Sequence, residues 1–133
     1  MVAIDEGHQP EWLSVVIPVK EEGAYIHRTL EHWVQARSRC GLDVRLYVVD
    51  GSSRDDTVEQ AGLADVLVTD DVRAWTSIGH ARNAGASRSR AELIFHTDAD
   101  VLVPNLQLFM REVAAAFSDP EVVGVTAPVV AYP

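Results

Sequence analysis

The apolar positions of this 133-residue chain fall into short β-branched runs that alternate with amphipathic stretches. Leu13-Ser14-Val15-Val16-Ile17-Pro18-Val19 is apolar almost throughout, the pattern of a parallel strand buried on both faces, with Pro18 marking its end. From about residue 23 to 39, Ile26, Leu30, Trp33 and Val34 recur at helical spacing, and Gly41 predicts the stop. Residues 44–49 form a second strand that closes on Asp50-Gly51-Ser52-Ser53, and Ser53 with Asp55 and Asp56 predicts a cap for a short helix reaching Ala61. A short third strand over 64–68 leads into a loop over 69–77 and a helix over about 78–88. The fourth strand, Leu93-Ile94-Phe95-His96-Thr97, runs straight into Asp98-Ala99-Asp100. Pro104 suits the first position of a last helix, whose apolar face is Leu106, Phe109, Met110, Val113 and Phe117. Residues 122–130 predict a final strand region bent at Pro128.

This alternation predicts one α/β domain from residue 13 onward, a parallel sheet covered on both faces, preceded by a polar tail over 1–12. In such sheets ligands bind at the carboxyl ends of strands, where the strand order reverses. The polar residues collect at those ends: Lys20-Glu21-Glu22 after the first strand, Asp50 to Ser53 after the second, Asp98-Ala99-Asp100 after the fourth.

Composition sharpens the picture at four points. A hydrophobic share of 47% rules against a disordered polymer. No apolar run approaches the roughly 18 residues needed to cross a bilayer, and residues 1–11 lack a signal-peptide pattern, so a cytoplasmic domain is expected, with any membrane attachment beyond residue 133. Cys40 is the sole cysteine, which excludes an internal disulfide and a Cys-based zinc site and leaves a packed thiol near a helix end. The formal net charge of −9 argues against nucleic acid or an anionic membrane as partner. An anionic ligand would therefore need a local cation, either an arginine or a metal.

The candidate chemistry sits in four places, each with a plainer alternative. In an extended chain, alternation puts Asp98 and Asp100 on one side, where two carboxylates can converge on a hard cation such as Mg²⁺ or Mn²⁺. The same residues also suit a solvated acidic turn before the last helix. Asp50, ending an apolar strand, can accept hydrogen bonds from the N–H groups of uracil or guanine, or can close an Asx-type turn. Arg82, in Gly79-His80-Ala81-Arg82-Asn83-Ala84-Gly85, can fork onto a phosphate, or can be an ordinary surface arginine. His96 lies two residues before Asp98, as a metal ligand or as a hydrogen-bonded histidine of the sheet. Trp12, Trp33 and Trp75 read as packing residues, although the loop carrying Trp75 could flank a base or sugar.

Together these segments resemble the family 2 glycosyltransferases of GT-A fold. Such proteins open with a strand into Pro-x-Tyr-Asn-Glu, matched here by Pro18-Val19-Lys20-Glu21-Glu22. A Val-Val-Asp-Asp-Gly-Ser-x-Asp-x-Thr block is matched by Val48-Val49-Asp50-Gly51-Ser52-Ser53-Arg54-Asp55-Asp56-Thr57, Ala-Arg-Asn-x-Gly by Ala81 to Gly85, and Asp-x-Asp by Asp98 to Asp100. The resemblance implies a Rossmann-like three-layer sandwich with a mostly parallel sheet, truncated relative to the family. It also implies transfer of a sugar from a UDP- or GDP-linked donor to an acceptor hydroxyl, on a glycan or a lipid-linked chain, usually with inversion. Pro18 and Glu22 would line the nucleotide pocket, Asp50 would read the base, and Arg82 would approach the diphosphate. Asp98 would lie near the ribose and, with Asp100, hold Mg²⁺ or Mn²⁺.

Two departures qualify this. Lys20 and Glu21 replace the usual Tyr-Asn pair. The sequence also stops where the family's acceptor half begins, and that half normally supplies the Asp or Glu base. No residue here takes that role, so a nucleotide-sugar-binding module is a second expectation. A sugar nucleotidyltransferase is a third, although its Gly-rich loop is lacking before Gly23. An apolar surface left uncovered would favour homo-oligomers.

Overall fold

The structure, a computed structural model, describes residues 11–69 and 76–131. Its elements follow in the order β1 (Leu13–Val19), α1 (Ile26–Cys40), β2 (Val44–Asp50), α2 (Thr57–Gln60), β3 (Val66–Val68), α3 (Ile78–Ala86), β4 (Leu93–His96) and α4 (Leu106–Ala116). Among the described residues the sheet has four strands in the order β3-β2-β1-β4, all parallel. The chain steps outward from β1 to β3 and then returns to the other side of β1. The strand order therefore reverses between β1 and β4, and the crevice of such folds lies above that point.

Burial explains why β1 and β2 were readable as apolar runs. Every residue of β1 is buried, because it has a strand on each side and helices on both faces. On one face, Ile26, Leu30 and Trp33 of α1 pack with Leu106 and Met110 of α4 against Val15, Ile17 and Leu46. On the other, Ala81 and Ala84 of α3 pack with Val49 and Val68. This is the three-layer arrangement that the pattern predicts. Gly85 lets α3 approach so closely: a Cβ there would meet Val16 Cγ1 at 2.4 Å and Val49 Cγ2 at 3.2 Å. Gly41 ends α1 in the left-handed region at φ 64°, as its sequence position suggests.

Pro18 does not end β1, which continues to Val19. Residues of even number in this strand turn their backbone groups toward β4, since Trp12 O accepts from Leu93 N and Val16 O accepts from Thr97 N. The ladder with β4 stops at Val16↔His96, so the missing N–H of Pro18 removes no pairing. The last helix also begins later than Pro104: Asn105 is its cap, with a side chain that accepts from Leu108 N at 3.0 Å.

The expected strand over 122–130 is absent. The chain from Val122 to Ala131 has no strand assignment, and Val123, Val129 and Val130 are 95%, 78% and 86% exposed. Its β-branched residues carry strand propensity, but β4 does not pair with it, and propensity without a partner builds no ladder. No helix among the described residues is long and apolar enough to cross a membrane.

Candidate functional site

The loops above the switch point carry the polar residues singled out in the sequence. Asp98-Ala99-Asp100 follows β4, but not as an extended chain. Asp98 O accepts from Val101 N at 3.2 Å, so the three residues lie in a turn, and β4 has already ended at His96. The alternation argument for placing His96, Asp98 and Asp100 on one side therefore does not apply. The turn reaches a similar end by other means. Ala99 is buried in the core, with its carbonyl accepting from Thr29 Oγ1 of α1, while Asp98 and Asp100 stand toward solvent on either side of it. His32, one helical turn after Thr29, bonds through Nε2 to Val103 O at 2.7 Å. Two polar residues on the packed side of α1 thus hold this loop, a signal visible in the sequence as Thr29 and His32 among apolar neighbours.

Arg82 is brought to this turn by α3. Ala81, Ala84 and Gly85 face the sheet, and Arg82 donates from Nη2 to Asp98 Oδ1 at 3.2 Å. Its Nε is buried and has no partner among the described residues. The pair is partly exposed, which limits its contribution to about 1 kcal/mol at most. Such a weak pair is readily exchanged for a ligand anion.

Glu22, on the loop after β1, is half-buried and faces the same turn. Burial, followed by the charges of Asp100, Asp98 and Asp55, raises its pKa above the usual carboxylate value. Glu22 thus feels three further acids, from the loops after β2 and β4, a repulsion that a cation would relieve. His96 is shifted the other way: although the residue is largely exposed, partial desolvation of its ring and then the charge of Arg82 lower its pKa, which favours the neutral ring. Among the described residues no three His, Cys, Asp or Glu side chains form a ready cation cage. The carboxylates of Asp98, Asp100 and Glu22 offer oxygen donors, the ligand type that hard divalent cations prefer.

Asp50 ends β2 and is buried, and its two carboxylate oxygens accept from Ser53 N at 3.3 and 3.2 Å. The Asx-type turn is thus realised, with long bonds that leave the carboxylate acceptor capacity to spare. Pro18 is buried between the strands beneath the loop. Trp75 lies outside the described residues.

The loop-to-loop role of Ser53 and Asp55 was not recognised from sequence. Asp56 makes no side-chain cap, but Asp55 Oδ1 accepts from Thr57 N at 3.0 Å at the start of α2, so Asp55 takes the capping part expected of it. The same segment also reaches the loop after β1: Ser53 Oγ accepts from Glu21 N at 2.9 Å, Thr57 Oγ1 from Glu22 N at 2.9 Å, and Asp55 Oδ2 from Gly23 N at 3.1 Å. The alternate spacing of three oxygen-bearing residues after a strand is the signal that could have found them.

These features define a Rossmann-like α/β protein with an acidic, arginine-bearing crevice at its topological switch point. The profile described as "Glycosyl transferase family 2" matches residues 14–133, and the chain belongs to that family. Solved structures share the fold. They include mannosyl-3-phosphoglycerate synthase from Rubrobacter xylanophilus, with 22% identity and a TM-score of 0.60 over 71% of this chain and 33% of that one. TarS residues 1–349 from S. aureus in complex with UDP gives 17% identity and a TM-score of 0.66 over 89% of this chain and 38% of that one. Glucosyl-3-phosphoglycerate synthase from M. tuberculosis gives 23% identity and a TM-score of 0.59 over 84% and 42% respectively. The chain thus spans between 33% and 42% of the length of these proteins. Among curated protein sequences none matches it significantly.

Proposed function

We propose that the chain supplies the donor site of a glycosyltransferase, binding a UDP- or GDP-linked sugar in the crevice between the ends of β1 and β4. The observation that carries this reading is the meeting of Arg82, Asp98, Asp100 and Glu22 there: one forked cation beside carboxylates that repel one another. Arg82 would exchange Asp98 for a phosphate oxygen and bring its buried Nε to bear on the ligand. Asp50, at the neighbouring strand end, would accept from the base. Asp100 and Asp98 would hold Mg²⁺ or Mn²⁺, which when bound offsets the charge of the departing nucleoside diphosphate.

Calorimetric titration with UDP and with GDP, each with and without Mn²⁺, tests the donor site. Metal-dependent binding of one nucleotide is expected, and Asp100→Ala should remove the metal-dependent part. A folded sample that binds neither nucleotide in a metal-dependent way overturns the reading.

A further inference from the structure

We infer that Ser53, Asp55 and Thr57 are positioning residues that lock the loop after β1 to the loop after β2, so that Glu22 and Asp50 meet a ligand as one rigid edge of the crevice. The inference rests on the donor-site reading for the identity of that ligand, but not for the lock itself.

Three consecutive backbone amides, those of Glu21, Glu22 and Gly23, each donate to a side-chain oxygen of the other loop. Thr57 is the centre of a relay. Its hydroxyl accepts from Glu22 N and donates to Asp55 Oδ1, while Asp55 Oδ2 takes Gly23 N. Thr57 is also completely buried. A return link runs from Arg54 N to Glu21 Oε1 at 2.6 Å, and Gly51 N donates to Val19 O at 2.9 Å beneath it. Ser53 joins both partners, since its hydroxyl holds Glu21 while its amide holds Asp50.

Two observations favour positioning over ordinary packing. Each loop contains a non-glycine residue in the left-handed region, Glu21 at φ 55° and Ser52 at φ 60°. Such strain persists only where surrounding contacts over-determine the backbone. Glu21, Ser52, Arg54 and Asp55 are also exposed, so ordering them hides little apolar surface to offset the lost chain entropy. A run of free amides would have made an anion nest. Here the protein's own oxygens occupy all three, which leaves the loop's side chains, Glu22 above all, as what it presents.

The test compares Thr57→Val, Thr57→Ser and Asp55→Asn with the unsubstituted protein, by residue-resolved amide hydrogen exchange and by calorimetric titration with UDP and Mn²⁺. Valine keeps the buried shape and loses the hydroxyl. Exchange at residues 21–23 should rise about tenfold in Thr57→Val while amides in the interior of β1 and β2 stay unchanged. UDP affinity should fall by about fivefold or more, and Thr57→Ser should restore both. Unchanged exchange at 21–23, a uniform rise across the sheet, or local loosening without loss of UDP affinity would each overturn the lock. Asp55→Asn, on the surface, gives the same local readout should Thr57→Val fail to fold. If the unsubstituted protein binds no UDP, the donor reading falls. The exchange pattern then decides the lock alone, a local rise upholding it and none overturning it.

Discussion

On the β1–β2 side of the crevice, every β1 residue is buried and the loops above are tied by side-chain oxygens from Ser53, Asp55 and Thr57. On the β4 side, alternate residues of a four-residue strand are exposed, and the chain beyond α4 runs unpaired with its valines in solvent. A cavity of about 610 Å³ opens there, between Leu93 and Phe95 of β4, Phe109 and Val113 of α4, and Val125. The contrast follows from sheet position. β1 is hydrogen-bonded on both edges, whereas among the described residues β4 has a ladder with β1 alone. What orders the β4 side is α1, through Trp33 tilted against Phe95 with ring centroids 5.8 Å apart and through the Thr29 and His32 bonds to the loop, with Phe109 of α4 5.1 Å from Phe95 on its other flank. One side of the site is therefore held by strand pairing and loop interlocks, the other by a helix reaching across.

The largest test of that contrast is a pair of truncations. Leu30→Ala, at a fully buried position, should cost about 2–5 kcal/mol of unfolding free energy. Val130→Ala, in the exposed segment, should stay within about 0.5 kcal/mol. Urea denaturation of both variants checks this, and a comparable loss from Val130→Ala would show that residues 121–131 are held as firmly as the core. Next comes Gly85→Ala, whose Cβ must displace Val16 and Val49, at an expected cost of about 1–3 kcal/mol in the same assay. No loss would mean that α3 slides freely on the sheet.

The smallest effect tests the charges between the two sides. The folded-state pKa of Glu22 lies above the ordinary 4.5, so the folded protein binds more protons than the unfolded chain just above that pH. Stability therefore falls as pH rises through this window, and the penalty is fully present above the folded pKa. Glu22→Gln removes it, and should raise stability at pH 7 by up to about 1 kcal/mol, with the gain vanishing below pH 4.5. Thermal melts at both pH values measure the difference. A gain of equal size at low pH would assign it to packing rather than to repulsion.

What was legible in the sequence is what burial writes locally. The β-branched runs of β1 and β2 announced strands because both faces are covered, and Gly41 announced a stop because the left-handed cap suits glycine. The identity of the polar residues above the strand ends was legible for the same reason: an acid or arginine adjoining an apolar run stands out. Only the tertiary structure decided how those residues are used. It turned Asp98-Ala99-Asp100 into a bend, set Arg82 on Asp98, gave Ser53 to the neighbouring loop and divided Asp55 between that loop and the start of α2, and left residues 122–130 without a ladder. Periodicity reports how much of a residue is hidden, whereas its partner depends on strand order and register, which pair Leu13 with Leu93, 80 residues on, and bring Asp98 near Glu22 only through the folded sheet.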